Sequence, residues 1–427
     1  MGCLGVGCGL PLILAISLFI AFTFNNRPPD IVIPTPVAPA NNGYNDFVRA
    51  AQMIRTIKHK APASMNTPPT TRAGYLLQTK ACTEESAAGL AIMRAGFGKP
   101  CMMPPERDGS NSVPQFSGFR EMARTITGVA AYYELTDQPG RAADTLLDGE
   151  EMGVTIPRGS GVIGDLVGIA IESISLNRFE QLLPKLSKQE LASVALRLEQ
   201  ISAKRVPYSD IMMEQGYSSA SLLRLAFSDP KIKSLQGSYN AARTLLSIDD
   251  DKRPTARQAL KIARFVMKNK TALLKDELRF FKELAAESKT PFTLKSKVNL
   301  PGGGLLDDWY ELYISNRARS KHVGRESVLN LLRIETALYQ YKAANGKFPT
   351  SLGSLSPTFL RSIPTDPFTG SLNQPYHYTL LNSSLGFQLY GLGPDMSDHG
   401  GMFGRFAGDS GFDIVAEHIS RGRQLPQ

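Results

Sequence analysis

At 427 residues the chain is long enough for two or three globular units rather than one. Its 42 % apolar and 20 % charged residues exclude a wholly disordered polymer. The formal charge of +9 is concentrated rather than spread, because residues 252–289 hold eleven Lys or Arg against four Asp or Glu. Four cysteines are too few for a disulfide framework. Beyond Cys3 and Cys8 only Cys82 and Cys101 remain, either as a pair or as two buried thiols.

Gly2 to Phe24 contains no charged residue and includes LPLILAISLFIAFTF. A helix of that length is about 34 Å long, enough to cross a bilayer core. A cleaved signal peptide would show a basic start and a small-x-small site, and neither is present. The expectation is therefore an uncleaved transmembrane anchor at 1–24, in contact with the lipid bilayer through residues 2–24. Residues 25–43 follow as a Pro-rich linker, with five prolines in NNRPPDIVIPTPVAPANN, extended enough to lift the rest from the membrane.

From 44 to 300 the pattern is helical, giving an expected all-α, helical-repeat-like middle domain. NDFVRAAQMIRTIKHK places Phe47, Ala50, Ala51, Ile54 and Ile57 at three- and four-residue spacing. FREMARTITGVAAYYEL and PGRAADTLLDGEEMG read as a helical hairpin turning at Thr136–Gly140, with Pro139 in a helix first turn. GVIGDLVGIAIESISL and SKQELASVALRLEQISAKR continue the series. A second copy of the hairpin signature about 34 residues on is missing, so no defined repeat family is assigned. One long helix is expected from Pro254 to about Lys289. Arg257, Lys261, Arg264, Lys268, Lys275, Arg279 and Lys282 share one of its faces, read as a solvated basic row. Stacking aromatics between these bases are missing, so nucleic acid is not expected as a partner.

The last unit, 305–427, reads as a small α+β domain. Val328, Leu331, Ile334, Leu338 and Tyr341 form a helical stripe that must be buried, and Asn345-Gly346 ends the helix. PYHYTLL (375–381) and GFQLYGLG (386–393) alternate as two strands joined by a short loop. One helix on a short antiparallel sheet buries both apolar faces. A Gly- and Asp-rich segment closes the chain.

The ordered series NGKFPTSL (345–352), IPTDPFTG (363–370), LYGLGPDMSDHGG (389–401) and GDSGFDI (408–414) resembles the globular half of the major, G-type pseudopilin of type II secretion. The likeness covers roughly residues 323–415, about a fifth of the chain. It implies an extracytoplasmic location for the bulk of a single-pass cell-membrane protein, with other cell-envelope proteins as partners. It also implies a calcium ion in the terminal loop, with Asp395, Asp409 and Asp413 matching the family's ligands and Asp398 as an added one. Calcium takes six to eight hard oxygens, which such a loop can supply. MFGRFA lengthens the loop relative to that family. The leader, the glutamate and the filament helix of a working pseudopilin are also not matched, since Gly9-Leu10-Pro11 precedes no glutamate. Filament assembly is therefore not expected.

No hydrolase or phosphate-loop signature appears, and no small-molecule substrate is evident. Acidic pairs such as Glu150-Glu151 and Asp307-Asp308 read as solvated charge. The expected function is a non-enzymatic, membrane-tethered structural or interaction protein with a pseudopilin-like end, possessing no catalytic residues. The alternative is a metal-dependent hydrolase built on Asp395, Asp398 and His399.

Overall fold

The computed structural model describes residues 17, 20–60, 71–105, 107, 115–176, 178–245, 248, 253–301, 310, 311, 313, 315–381, 386–402 and 413–415. The chain is mostly helical, with one small antiparallel sheet. Helices α1 (Gly43–Lys60), α2 (Arg72–Phe97), α3 (Gln115–Leu135), α4 (Pro139–Thr155) and α5 (Gly161–Leu176) form an array in which each packs on the next. The predicted apolar positions make its core: Phe47, Ala50 and Ile54 of α1 meet Phe119, Met122 and Ile126 of α3. Cys101 and Cys82 are not joined in a disulfide, and burial pushes the Cys101 thiol up to about 12.

Helices α4 and α5 approach unusually closely. A Cβ on Gly153 would lie 2.4 Å from Cγ of Glu172 and 2.9 Å from the Gly168 carbonyl oxygen. Only glycine allows this approach. Helix α6 (Lys188–Lys204) begins with a capping box, Ser187 and Glu190 bonding reciprocally across the first turn. Helix α7 (Tyr208–Ser228) then returns along α5, and α8 (Leu235–Leu245) follows it.

The expected single helix over 254–289 is two. Helix α9 (Ala256–Met267) starts at a Thr255–Gln258 capping box, and α10 (Lys270–Glu287) starts at Asn269, whose side chain accepts from Ala272 N. Asn269 is a strong N-cap residue, which favours restarting a helix over continuing one. Lys270 seals the break from inside: fully buried, its ammonium donates to the carbonyls of Phe265 (2.6 Å) and Lys268 (3.1 Å). The basic row stays on the outer side, while Phe265, Leu274, Phe281 and Leu284 are buried.

The membrane-spanning part of the expected fold class is overturned, and with it the single-pass localisation. Among the described residues no helix is long and apolar enough to cross a membrane. Most of the predicted span lies outside the described residues, but its end is helical at 20–25 and is held by protein. Phe22 is buried with Phe227, Ile232 and Phe265. Asn26, 1 % exposed, donates to the carbonyls of Phe22 and Val266 and accepts from the Ser238 hydroxyl. The Pro-rich segment is likewise no free spacer. Ile33 packs on Ala220 and Leu274, and Arg224 donates to the Ile31 carbonyl.

Helix α11 (Arg317–Asn345) joins the array to the sheet. It ends as expected, with Gly346 in the left-handed region (φ 76°) and its N–H on the Lys342 carbonyl. Strands β1 (His377–Leu381), β2 (Gly386–Gly391) and β3 (Ile414–Val415) lie in the order β1-β2-β3, all antiparallel, with Tyr378 opposite Leu389 and Tyr390 opposite Val415. The predicted stripe is only half of the helix's apolar surface. Leu331, Ile334 and Leu338 pack on Phe348, Leu355, Phe387 and Leu389. Leu329 and Leu332 face the other way, into a core with Leu146, Leu147, Phe179 and Leu198.

Candidate functional site

The terminal loop sits at the end of β2, and β3 brings Asp413 back against it. Asp413, 3 % exposed, accepts from His399 N through both oxygens (3.2 and 3.0 Å) and from Gly401 N (2.8 Å). Its own amide donates to the Met402 carbonyl. Asp395 accepts from Ser397 N at 3.2 Å, a local Asx turn. Asp398 accepts from Gly400 N (2.8 Å) and from the Tyr390 hydroxyl (3.1 Å), and the Gly400 amide leads in holding its carboxyl below the ordinary range. The His399 ring lies 3.6 Å from both Asp395 and Asp413, and His377 stacks on Tyr390 at 4.7 Å.

Of the four expected calcium ligands, the structure brings Asp395 and Asp413 around one imidazole and turns Asp398 toward Tyr390. Asp409 lies outside the described residues. A calcium site needs oxygens converging on one point, and here a ring that offers only nitrogen stands between two of the carboxylates. Among the described residues no three His, Cys, Asp or Glu side chains are placed to hold a metal ion. Among the described residues, Asp395, Asp398 and Asp413 do not converge on one point, and neither do Asp395, Asp398 and His399.

Asp366, within IPTDPFTG, is the polar pin of this end of the molecule and is not among the expected site residues. It is fully buried, accepting from Phe368 N (3.0 Å) and Leu392 N (2.7 Å) and so tying the connection to the exit of β2. Burial raises its carboxyl above the ordinary value despite those two amides. The Asp-Pro order is a usable signal, since Asp before a turn commonly bonds the backbone two residues on.

The larger surprise lies under α11. Glu150 and Glu151, read as solvated charge, are 0 % and 8 % exposed. Arg325 of α11 donates to Glu150 (Nη2, 2.9 Å) and to Glu172 of α5 (Nε, 2.9 Å). Arg205, just past α6, donates to Glu172 through both terminal nitrogens. One turn before Arg325, His322 meets Asp165 of α5 at 2.9 Å, both buried. On the next face of α4, Asp148 receives Arg94 and Arg197, and Glu151 receives Lys204. These pairs join residues up to 175 positions apart, so no local spacing announces them.

No family model, curated protein or solved structure matches this chain.

Proposed function

We propose that this chain is a structural, protein-binding scaffold: a helical array carrying a pseudopilin-like head on a helix that the two share. The observation behind it is the placement of α11. One of its faces closes the core of the sheet, and the other closes the core of the array. A helix buried on both sides cannot swing as a linker would, so surfaces on head and array are presented at a fixed separation. The polar groups of the terminal loop act in keeping with this. Asp366 and Asp413 each hold backbone amides, which shapes the loop as a surface rather than opening a reaction site.

The partner class is protein, met on exposed positions of both parts, such as Leu196 on α6 and Leu372 and Met402 on the head. Photo-crosslinking amino acids at these three positions, in the source cells, test the reading. Discrete adducts containing the same partner from both array and head are the expected result. Zinc-dependent turnover of an ester or phosphoester by the purified chain, lost in His399→Ala, would replace this reading with the hydrolase.

A further inference from the structure

Glu150 occupies the meeting point of α4, α5 and α11, and its two oxygens are treated unequally. Oε2 accepts from Arg325. Oε1 is buried without a hydrogen-bond donor, the closest approach of Arg205 being 3.9 Å. Glu172 beside it is fully served, by Arg325 and by both terminal nitrogens of Arg205. Two carboxylates thus share two guanidiniums, and one oxygen is left over. Among the described residues, the charged groups around this cluster are Glu326, whose charge acts on Arg205 through space, Asp165, which holds His322, and Glu151 and Asp148, which meet Lys204, Arg197 and Arg94.

We propose that Glu150 is a proton-binding latch, taking a proton from solvent on Oε1 in the folded chain and so making the docking of α11 on α4 and α5 pH-dependent. A buried carboxyl oxygen with no donor is the position where a proton is cheapest to add, since burial penalises the charged form and no hydrogen bond there is lost. Oε2 keeps its bond to Arg325, and Glu172 stays ionised as the counter-charge to both arginines. Burial, opposed by Arg325 and reinforced by the Glu172 charge, pushes Glu150 up to about 7. Against the same burial, Arg205 and Arg325 hold Glu172 below its ordinary value.

The sign follows from proton counting. Between the ordinary glutamate value and about 7 the folded chain keeps a proton on Glu150 that the unfolded chain has released. Stability from this group therefore falls as pH rises through that window and levels off above it. Glu172 acts oppositely, losing its contribution only as pH falls below the ordinary carboxylate range. Docking is tightest in mild acid and loosens toward alkaline pH.

Hydrogen exchange on the full chain, corrected for intrinsic rates, tests this at the amides of residues 322–332, with α1 as internal reference. From about pH 5.5 to 8 the opening equilibrium of these amides should rise about tenfold or more, as the docked form gives up over this range a Glu150 proton that the open form has already released. Glu150→Gln keeps the shape and cannot ionise, so its opening should be flat over the same range. A flat wild-type profile, or an equal slope in Glu150→Gln, overturns the proposal. Should that variant fail to fold, carbon-detected titration of the Glu150 carboxyl in the wild type decides. A midpoint near 7 supports the latch, and one below about 5 removes it.

Discussion

The terminal loop and the seam beneath α11 both gather carboxylates, yet they satisfy them by different means. In the loop, Asp395, Asp398 and Asp413 take backbone amides from residues within fourteen positions. In the seam, Glu150 and Glu172 take guanidiniums from over thirty to 175 positions away. The loop carboxylates bond local backbone. Those of the seam hold one half of the chain to the other, and each is costly if its partner is lost. The contrast predicts that equal chemical changes in the two regions have unequal reach.

Arg325→Ala should have the largest effect. It leaves Glu150 and Glu172 buried with one cation fewer, and breaking such a buried cluster costs about 3–5 kcal/mol. Denaturant unfolding of the full chain measures it, and a loss below about 1 kcal/mol would mean the seam is more hydrated than its burial indicates. Lys270 sharpens the comparison, as a buried cation held by carbonyls alone in the hydrogen bonds described. Burial pushes its ammonium down to about 7, so between there and the ordinary lysine value the unfolded chain binds more protons. Wild type should thus gain about 1–2 kcal/mol over Lys270→Met from pH 7 to pH 9, read from paired thermal unfolding curves.

Asp413→Asn should act locally. It replaces charge-assisted bonds to the amides of His399 and Gly401 by a group with one acceptor, a loss of about 1–3 kcal/mol confined to the loop. Exchange protection at those two amides should fall while α1 to α6 stay unchanged, and equal loss in the array would mean that the loop carboxylates reach as far as those of the seam. Smallest of all, Arg279→Ala should shift stability by less than about 0.5 kcal/mol. Its pairs with the half-buried Asp276 and the exposed Glu283 are spaced one turn apart.

Much of this molecule can be read from local order. The 3–4 spacing of Phe47, Ala50 and Ile54, the Asn345-Gly346 stop and the strands at 377–381 and 386–391 all depend on neighbours within a few residues. The same spacing misleads where a second surface is present. On α11 the stripe of Leu331, Ile334 and Leu338 is evident from period alone, whereas Leu329 and Leu332 become core positions only because the array lies on the other side. A continuous basic and apolar period suggests one helix over 254–289, and Asn269 with the inward Lys270 divides it. The apolar run at the start is sufficient for a membrane span by length, but its described end is buried against Phe227 and Phe265 instead. Of the candidate site, sequence places Asp395, Asp398 and Asp413 in one loop but not the directions of their oxygens. Those depend on which amide is near.

The sequence by itself determined part of the element ends, such as the Pro139 start and the Asn345-Gly346 stop, and that a helix with a short antiparallel sheet stands near the end of the chain. These follow from caps, glycines and period, which act over one or two turns. Only the tertiary structure decided that Glu150 and Glu172 are buried, that α11 belongs to two cores, and that the terminal aspartates hold amides. Those outcomes depend on what surrounds each side chain in three dimensions, because a carboxylate on a helix has the same local sequence whether water or Arg325 stands above it.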